Sequence, residues 1–357
     1  MKKIIKIFLY NFFIIFFIHL FIFSTNNVEA NTYKIKNIEI SDEYNANFNK
    51  EDIINKAFQR AFKILISKIT ISKDYELIEK QNLKLIKSFV DSFSVVNEKF
   101  EDNKYNGIFE ISFNKSKVLS FLRNQNIFHS RMIEKNILFI PFFINSEKDN
   151  VLLFDENPFY KYWNYDENDQ FLLKYILQNE DLDDYQLIQD RINVIENYDF
   201  REIILKYELN ENYIILIIFK DENYFNTFSK FNVSSINSNF KKEFQAFDFN
   251  EKNKVKELIS SLKIRYDDEW KKINLINTSI KLNIQLNIDS SNILLSEKIE
   301  KILSEIDLVE EYQINQFDNE IINFEVLSNS TPDKLINELE KYNINISTEN
   351  NIWTLSE

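Results

Sequence analysis

Very few side chains in this chain of 357 residues have the type and spacing that chemistry needs. It holds one glycine, Gly107, and no cysteine. Phosphate-cradling loops need glycines so that backbone N–H groups can close on the anion. Walker-type and dinucleotide-binding fingerprints are therefore absent. Two histidines occur, His19 and His129. Without a thiol they do not assemble a zinc site of the usual His and Cys type. His129 lies in Asn126-Ile127-Phe128-His129-Ser130, with no glycines of a nucleophile elbow, and reads as an ordinary surface or linker histidine.

Carboxylates and aromatics remain. Asp181, Asp183 and Asp184, and then Asp267, Asp268 and Glu269, could offer oxygen ligands to Ca²⁺. Neither run has a loop glycine or alternating ligand spacing, so both read better as helix caps or solvated faces. A carboxylate pair flanking a glycosidic bond is set by distance in space and leaves no mark on spacing in sequence. Phe159, Tyr160, Tyr162 and Trp163 follow Pro158 directly, with Asp155 and Glu156 just before. Aromatic faces beside acids bind sugars or peptides, and the same spacing equally makes the buried face of a short helix. The candidate binding patch is Asp155, Asn157, Phe159, Tyr160 and Trp163. No residue is assigned to catalysis, a cofactor or a metal.

The elements that would position these residues begin with an export signal. Lys2, Lys3 and Lys6 precede an apolar run over 7–23, and a polar stretch ends in Val28-Glu29-Ala30. Small residues at −3 and −1 are what a signal peptidase accepts, so cleavage is expected after Ala30. The alternative is an uncleaved anchor, since residues 4–23 are about long enough to cross a bilayer. Under either reading the remainder lies outside the cytoplasm, and it touches a membrane only through that segment. Without cysteine an exported protein has no disulfides and no lipid-bearing N-terminus, so stability must come from its core. Removing residues 1–30 takes away three lysines and one glutamate and moves the net charge from −13 to −15. Such a balance disfavours nucleic acid and anionic lipid as partners.

The pattern predicts an α+β protein of three small α/β modules. The first, 31–130, reads β-α-α-β-β-α: a strand over 33–40 with a phase break as at a bulge, helices over 50–69 and 83–90, a hairpin turning at Asp102-Asn103, and a helix over 115–124. In the second, 131–275, the apolar runs 137–144 and 213–219 read as strands buried on both faces. A short strand over 151–154, an Asn157-Pro158 helix start, one helix over 185–206 and a long one over 251–273 complete it. The third, 276–357, reads β-α-β-β-α-β, a ferredoxin-like sandwich, with residues 344–355 as its last strand or a small hairpin.

The order of these pieces resembles the proteobacterial family called domain-of-unknown-function 2066 over nearly the whole mature chain. The resemblance rests on Tyr33–Ile40, Ala57 and Ala61, Ser88-Phe89-Val90 leading to Val96-Asn97-Glu98, and Tyr105, Phe109, Ile111 and Phe113-Asn114. It continues through Ile140-Pro141, Asn157-Pro158-Phe159 with Trp163, Glu269-Trp270-Lys271 and Trp353-Thr354-Leu355. No single piece is a catalytic signature, and the near absence of glycine and alanine departs from the family in its turns. The resemblance implies a secreted envelope protein of Gram-negative bacteria and assigns no reaction. The resulting expectation is a periplasmic, non-enzymatic adaptor or binding module with a protein partner in the envelope. Two alternatives stand beside it. One is a carboxylate-dependent hydrolase of envelope glycan or peptide, with a cleft near Asp155 and Trp163. The other is a small-ligand carrier with an apolar pocket between the second and third modules.

Overall fold

The computed structural model describes residues 32–145, 150–165, 170–209, 211–221, 223–234, 236–278, 280–348 and 353–356. The segment expected to direct export, with the cleavage expected after Ala30, lies outside them. Among the described residues no helix is long and apolar enough to cross a membrane. The architecture is α+β, built on three larger sheets that each have a core of their own.

The first sheet takes β1 (Thr32–Glu43), β2 (Val90–Glu101) and β3 (Lys104–Asn114) in the antiparallel order β1-β3-β2. Helix α1 (Lys50–Ile69) starts at an Asn49 cap and lays Ala57, Phe58, Ala61, Phe62 and Leu65 against Ile35, Ile38, Phe109 and Phe113. The bulge expected in β1 falls between Ile35 and Ile38, with Asn37 at φ 56°. Two short helices, α2 (Ser72–Ile78) and α3 (Leu83–Phe89), follow α1, and α4 (Lys115–Asn124) ends the unit. Helix α2 was not expected, because its one buried residue, Ile78, leaves no periodic trace.

A two-residue strand β4 (His129–Ser130) leads into the second sheet. That sheet contains β5 (Lys135–Asn145), β6 (Asn150–Leu152), β7 (Leu173–Leu177), β8 (Asn212–Lys220), β9 (Tyr224–Val233) and β10 (Ile236–Gln245). Strand β5 runs parallel to β7 and β8, while β6, β9 and β10 join antiparallel. Its odd residues face one core with Trp163 and Tyr266, and its even residues face another with Phe200 and Ile203. Burial on both faces is why its apolar run is continuous. The short helix α5 (Pro158–Tyr162) opens at the Asn157 cap as expected.

The single helix expected over 185–206 is instead α6 (Leu182–Asp190), a 3₁₀ stretch over Ile192–Asn197 and the one-turn α7 (Arg201–Ile204). Asp199 accepts the backbone N–H of Arg201 at 3.1 Å and so starts a new turn, the competition with helix that Asp and Asn side chains offer. Strands β7, β9 and β10 were also missed. The inward face of β9 includes Thr227 and Ser229, and β10 is a largely exposed edge, so neither alternates by apolarity. The long α8 (Lys252–Ile273) covers one face of the sheet and leads into β11 (Leu275–Ile276).

The third sheet holds β12 (Leu282–Asp289), β13 (Val309–Phe317), β14 (Ile321–Ser328), β15 (Asn345–Ser347) and β16 (Trp353–Ser356) in the order β13-β14-β12-β16-β15. Helices α9 (Ile293–Glu305) and α10 (Pro332–Glu340) connect them. The ferredoxin-like arrangement holds for the first three strands and differs at the last. There the seat beside β12 goes to β16, running parallel, and β15 lies outside it. Strand β16 brings two buried anchors, Trp353 and Leu355, whereas β15 has only the half-buried Ile346. The strand with more apolar surface to bury takes the inner place.

The segments entering and leaving the second module pair with each other: His129 opposes Ile276 and Ser130 opposes Leu275. An ionic cluster surrounds this ladder. Lys115 meets Asp307 at 2.5 Å, Arg123 meets Glu310 at 2.5 Å, and Arg131 grips Glu338 through two bonds of 2.7 and 3.1 Å. His129 is 3% exposed, and its Nε2 has no hydrogen-bond partner among the described residues. Burial pushes its pKa down to about 4; Asp307 and Glu310 pull it up, and Lys115 and Arg123 push it down. Burial pushes Glu310 and Glu338 up, but Lys281 with Arg123, and Arg131 with Lys341, hold both below the ordinary glutamate value.

These shifts predict an acid-labile junction. His129 binds its proton at a higher pH unfolded than folded, so its contribution is complete above about 6.5. It is lost as pH falls from there toward 4, by about 3 kcal/mol. The two glutamates contribute above their unfolded pKa and lose that contribution at still lower pH. Urea denaturation between pH 7.5 and 4 should show this fall. His129→Leu should flatten it above pH 4.5 and leave the lower limb.

Candidate functional site

The inward stripe of α1 belongs to the core, and its outward stripe carries Lys56, Arg60 and Lys63, spaced four and three residues apart on one face. Hollows open along this basic ridge. The larger is a cleft of about 800 Å³ between the first and second modules, walled by β1, α1 and α2 on one side and by β7, α8 and residues 164 and 170–171 on the other. Arg60 and Lys63 face Lys174 and Lys263 across it, with Glu39 the one carboxylate among its described lining residues. A second hollow of about 600 Å³ shares Arg60 and Lys63 and adds Lys56, Lys80 and Glu79. The two together hold six cations and two carboxylates among the described lining residues. Residues 166–169, three of them acidic, lie between Asn164 and Gln170 in sequence and are outside the described residues.

The cations are held differently. Arg60 donates to the carbonyl oxygen of Glu39 at 2.6 Å, which fixes its guanidinium at the cleft edge. Lys263 is 7% exposed, donates to the carbonyl oxygen of Trp163 at 2.5 Å, and stands 5.5 Å from the ring centres of Trp163 and Tyr175. Lys174 lies 3.7 Å from Glu134, and Lys56 pairs with Asp42. The side chains of Lys63, Asn37 and Gln170 make no hydrogen bond or ion pair among the described residues. Two phenols complete the lining. Burial raises the pKa of Tyr75 to about 12, with Glu79 adding to it, and raises that of Tyr175 well above the usual value. Both stay protonated at physiological pH. The buried Tyr175 hydroxyl has no partner among the described residues.

The cleft walls are latched together. Asp268 accepts from the backbone N–H and hydroxyl of Ser72, at 2.8 and 2.5 Å, joining α2 to α8. The buried Asp267 accepts from the N–H groups of Leu172 and Leu173, at 2.8 and 3.1 Å, and pairs with Lys271 at 2.9 Å. This pins the start of β7 to α8. Asp181 caps α6 and pairs with Lys206 at 2.5 Å. Both acidic runs singled out for Ca²⁺ thus hold backbone and lysines. Among the described residues no group of three or more His, Asp or Glu could hold a metal ion.

The predicted aromatic patch is not assembled as a surface. Asn157, Phe159 and Trp163 are completely buried. Asn157 accepts from the N–H of Phe159 at 2.9 Å and donates to the carbonyl of Pro141 at 3.0 Å, and Trp163 stacks on Phe139 with ring centres 3.7 Å apart. Phe159 and Trp163, four residues apart, share the inward face of the α5 turn. Tyr160 donates to the carbonyl of Gln178 at 2.9 Å, and Asp155 is exposed on a 3₁₀ turn by itself. A hydrolase cleft between Asp155 and Trp163 is therefore not formed. The large cleft also lies between modules one and two, not between two and three where a carrier's apolar pocket was expected. Asn164, directly after Trp163, is the residue of this stretch that reaches the cleft. The spacing of Lys56, Arg60 and Lys63 was the available signal. Comparison of the chain with family models found no matching family, and comparison with curated proteins found no match.

Asn157→Ala removes a cap and strands the Pro141 carbonyl, and Trp163→Ala empties a core site. Thermal or urea denaturation should show losses of about 1–3 kcal/mol for the first and about 3–5 kcal/mol for the second. Tyr160→Phe, which removes one partly exposed hydrogen bond, should change stability by about 1 kcal/mol or less.

Proposed function

We propose that the chain is an exported, non-enzymatic binding module of the Gram-negative envelope, related to the domain-of-unknown-function 2066 proteins it resembles and periplasmic once residues 1–30 are removed. The observation that carries this reading is the cleft of about 800 Å³. Its described lining offers cations, amides and phenols rather than a nucleophile beside a base. A hollow of that size between two latched modules suits a ligand received by a preformed site.

An envelope protein as partner, the adaptor side of the reading, draws support from two sheet edges. Strand β2 is an edge of the first sheet with Phe93, Val96 and Phe100 exposed, and β13 is an edge of the third with Ile314 and Phe317 exposed. Open edges of this kind accept a strand from another chain.

The test uses a C-terminally tagged copy at native expression. The expected product begins at Asn31, fractionates with the periplasm, and cross-links to one stoichiometric envelope protein. A full-length product in the cytoplasm overturns export. Turnover of a cell-wall glycan or peptide by purified protein, abolished by a carboxylate substitution, overturns the non-enzymatic reading.

A further inference from the structure

We infer that the basic groove along α1 is a binding site for an anionic glycan, a sugar chain bearing carboxylate or phosphate groups. The inference rests on the binding reading and adds the chemical class of the ligand. Lys56, Arg60 and Lys63 span about 10 Å of helix and border both hollows between them. A ligand that meets all three carries acid groups on separate units, which a single small anion does not.

The remaining lining selects among polyanions. Asn37 and Gln170 bring amide donors and acceptors with no partner among the described residues, a match for sugar hydroxyls. The partly exposed rings of Tyr75 and Tyr175 line the same cleft and give the C–H faces of sugars an apolar surface. An acidic peptide added to the edge strand β1 or β7 would call for apolar pockets for its alternate side chains, and the described lining is mainly polar. A nucleic acid would run beyond the groove over the rest of a chain whose net charge, once residues 1–30 are removed, is −15.

The bulge in β1 contributes directly. The one extra residue shifts the register between Ile35 and Ile38 and leaves Asn37, in the left-handed region at φ 56°, on the cleft rim. Bulges re-aim side chains beside sites in this way.

The experiment titrates the mature chain, residues 31–357, with four probes at low salt: oligogalacturonate, a phosphorylated oligomannoside, a neutral malto-oligosaccharide and poly-L-glutamate. Binding to the first or the second identifies the acid group as carboxylate or phosphate. The expected result is saturable binding to one or both that weakens about tenfold in Arg60→Ala/Lys63→Ala, and again as salt rises from 50 to 300 mM. Lys63→Glu should weaken it further. Lys63→Glu should retain the parent melting temperature, because Lys63 is exposed on α1, and Arg60→Ala/Lys63→Ala should melt within a few degrees of it, having lost the bond from Arg60 to the Glu39 carbonyl. The neutral sugar should not bind, and polyglutamate should bind at least about tenfold more weakly.

Absence of binding to both anionic glycans, or binding unchanged by Lys63→Glu, overturns the inference. Equal binding of polyglutamate overturns the glycan class and leaves a site for charge alone. A ligand or partner recovered from the periplasm while both glycans fail would retain the binding reading and remove this one.

Discussion

The structure depends on a two-rung ladder between the segments that join the modules. His129 with Ile276 and Ser130 with Leu275 bring the entry and exit of the second module to one point, and Arg131 donates its backbone N–H to the carbonyl of Asn274 at 3.1 Å. The second module thus leaves and returns at the same place, and the first and third can touch through Lys115 with Asp307 and Arg123 with Glu310. Without any cysteine, this closure is non-covalent. Closing a long loop grows only slowly more costly with length, so a few buried bonds suffice to hold it. Charge makes the ladder specific. Buried ion pairs contribute little net stability against an apolar substitute, but removing one partner strands the other at a cost of about 3–5 kcal/mol. Asp307 stands within 3.8 Å of Arg131 and 2.5 Å of Lys115, so one carboxylate couples the linker and the first module to the third.

Much of this was legible from residue order. The apolar stripe of α1, the double-sided burial of β5, the Asn157-Pro158 helix start and the Asp102-Asn103 hairpin follow from periodicity and turn chemistry. What failed did so for physical reasons. Strand β9 turns Thr227 and Ser229 inward, and Ser229 satisfies itself on the hydroxyl of Tyr266 at 2.6 Å, so a pattern of apolar residues alone passes over it. The helix expected over 185–206 has adequate apolar spacing, yet α6 ends at Asp190 and Asp199 starts a separate turn at Arg201. The exchange of β16 for β15 beside β12 was decided by which strand had two anchors, a comparison that needs both strands at once. The junction escaped because its residues are scattered in sequence: His129 and Arg131 share one segment, and Asp307 and Glu338 belong to two others.

The groove poses a different problem, a basic ridge on a chain of net charge −13. Net charge governs encounter at distance, but salt limits its reach to about 8–10 Å in physiological conditions. Within the groove the local cations decide. An anionic ligand is therefore repelled weakly by the whole and attracted strongly by the site, which favours a bound state that depends on fit over general adhesion. The latches at Ser72–Asp268 and Leu172–Asp267 matter for the same reason. They hold Lys174 and Lys263 opposite Arg60 and Lys63 before any ligand arrives, so little ordering remains to oppose binding.

The scarcity of glycine ties the fold to the site. Left-handed backbone is normally glycine's province, yet here Asn37, Asp102, Asn103, Asn126 and Asn343 all take φ between 52° and 58°. Asparagine tolerates that region better than most residues because its short side chain can bond locally. Gly107 serves another purpose: a Cβ there would lie 2.6 Å from the Tyr105 hydroxyl and 2.8 Å from the Phe109 ring, so it is kept for close packing in β3. An asparagine in a turn brings a polar side chain that glycine lacks. At Asp102-Asn103 that addition faces solvent and does nothing evident. At Asn37 it stands on the rim of the cleft, beside Glu39 and opposite Gln170. One residue thus bends β1 over the core of the first module and offers an amide to the groove, a pair of roles that the usual bulge glycine could not combine.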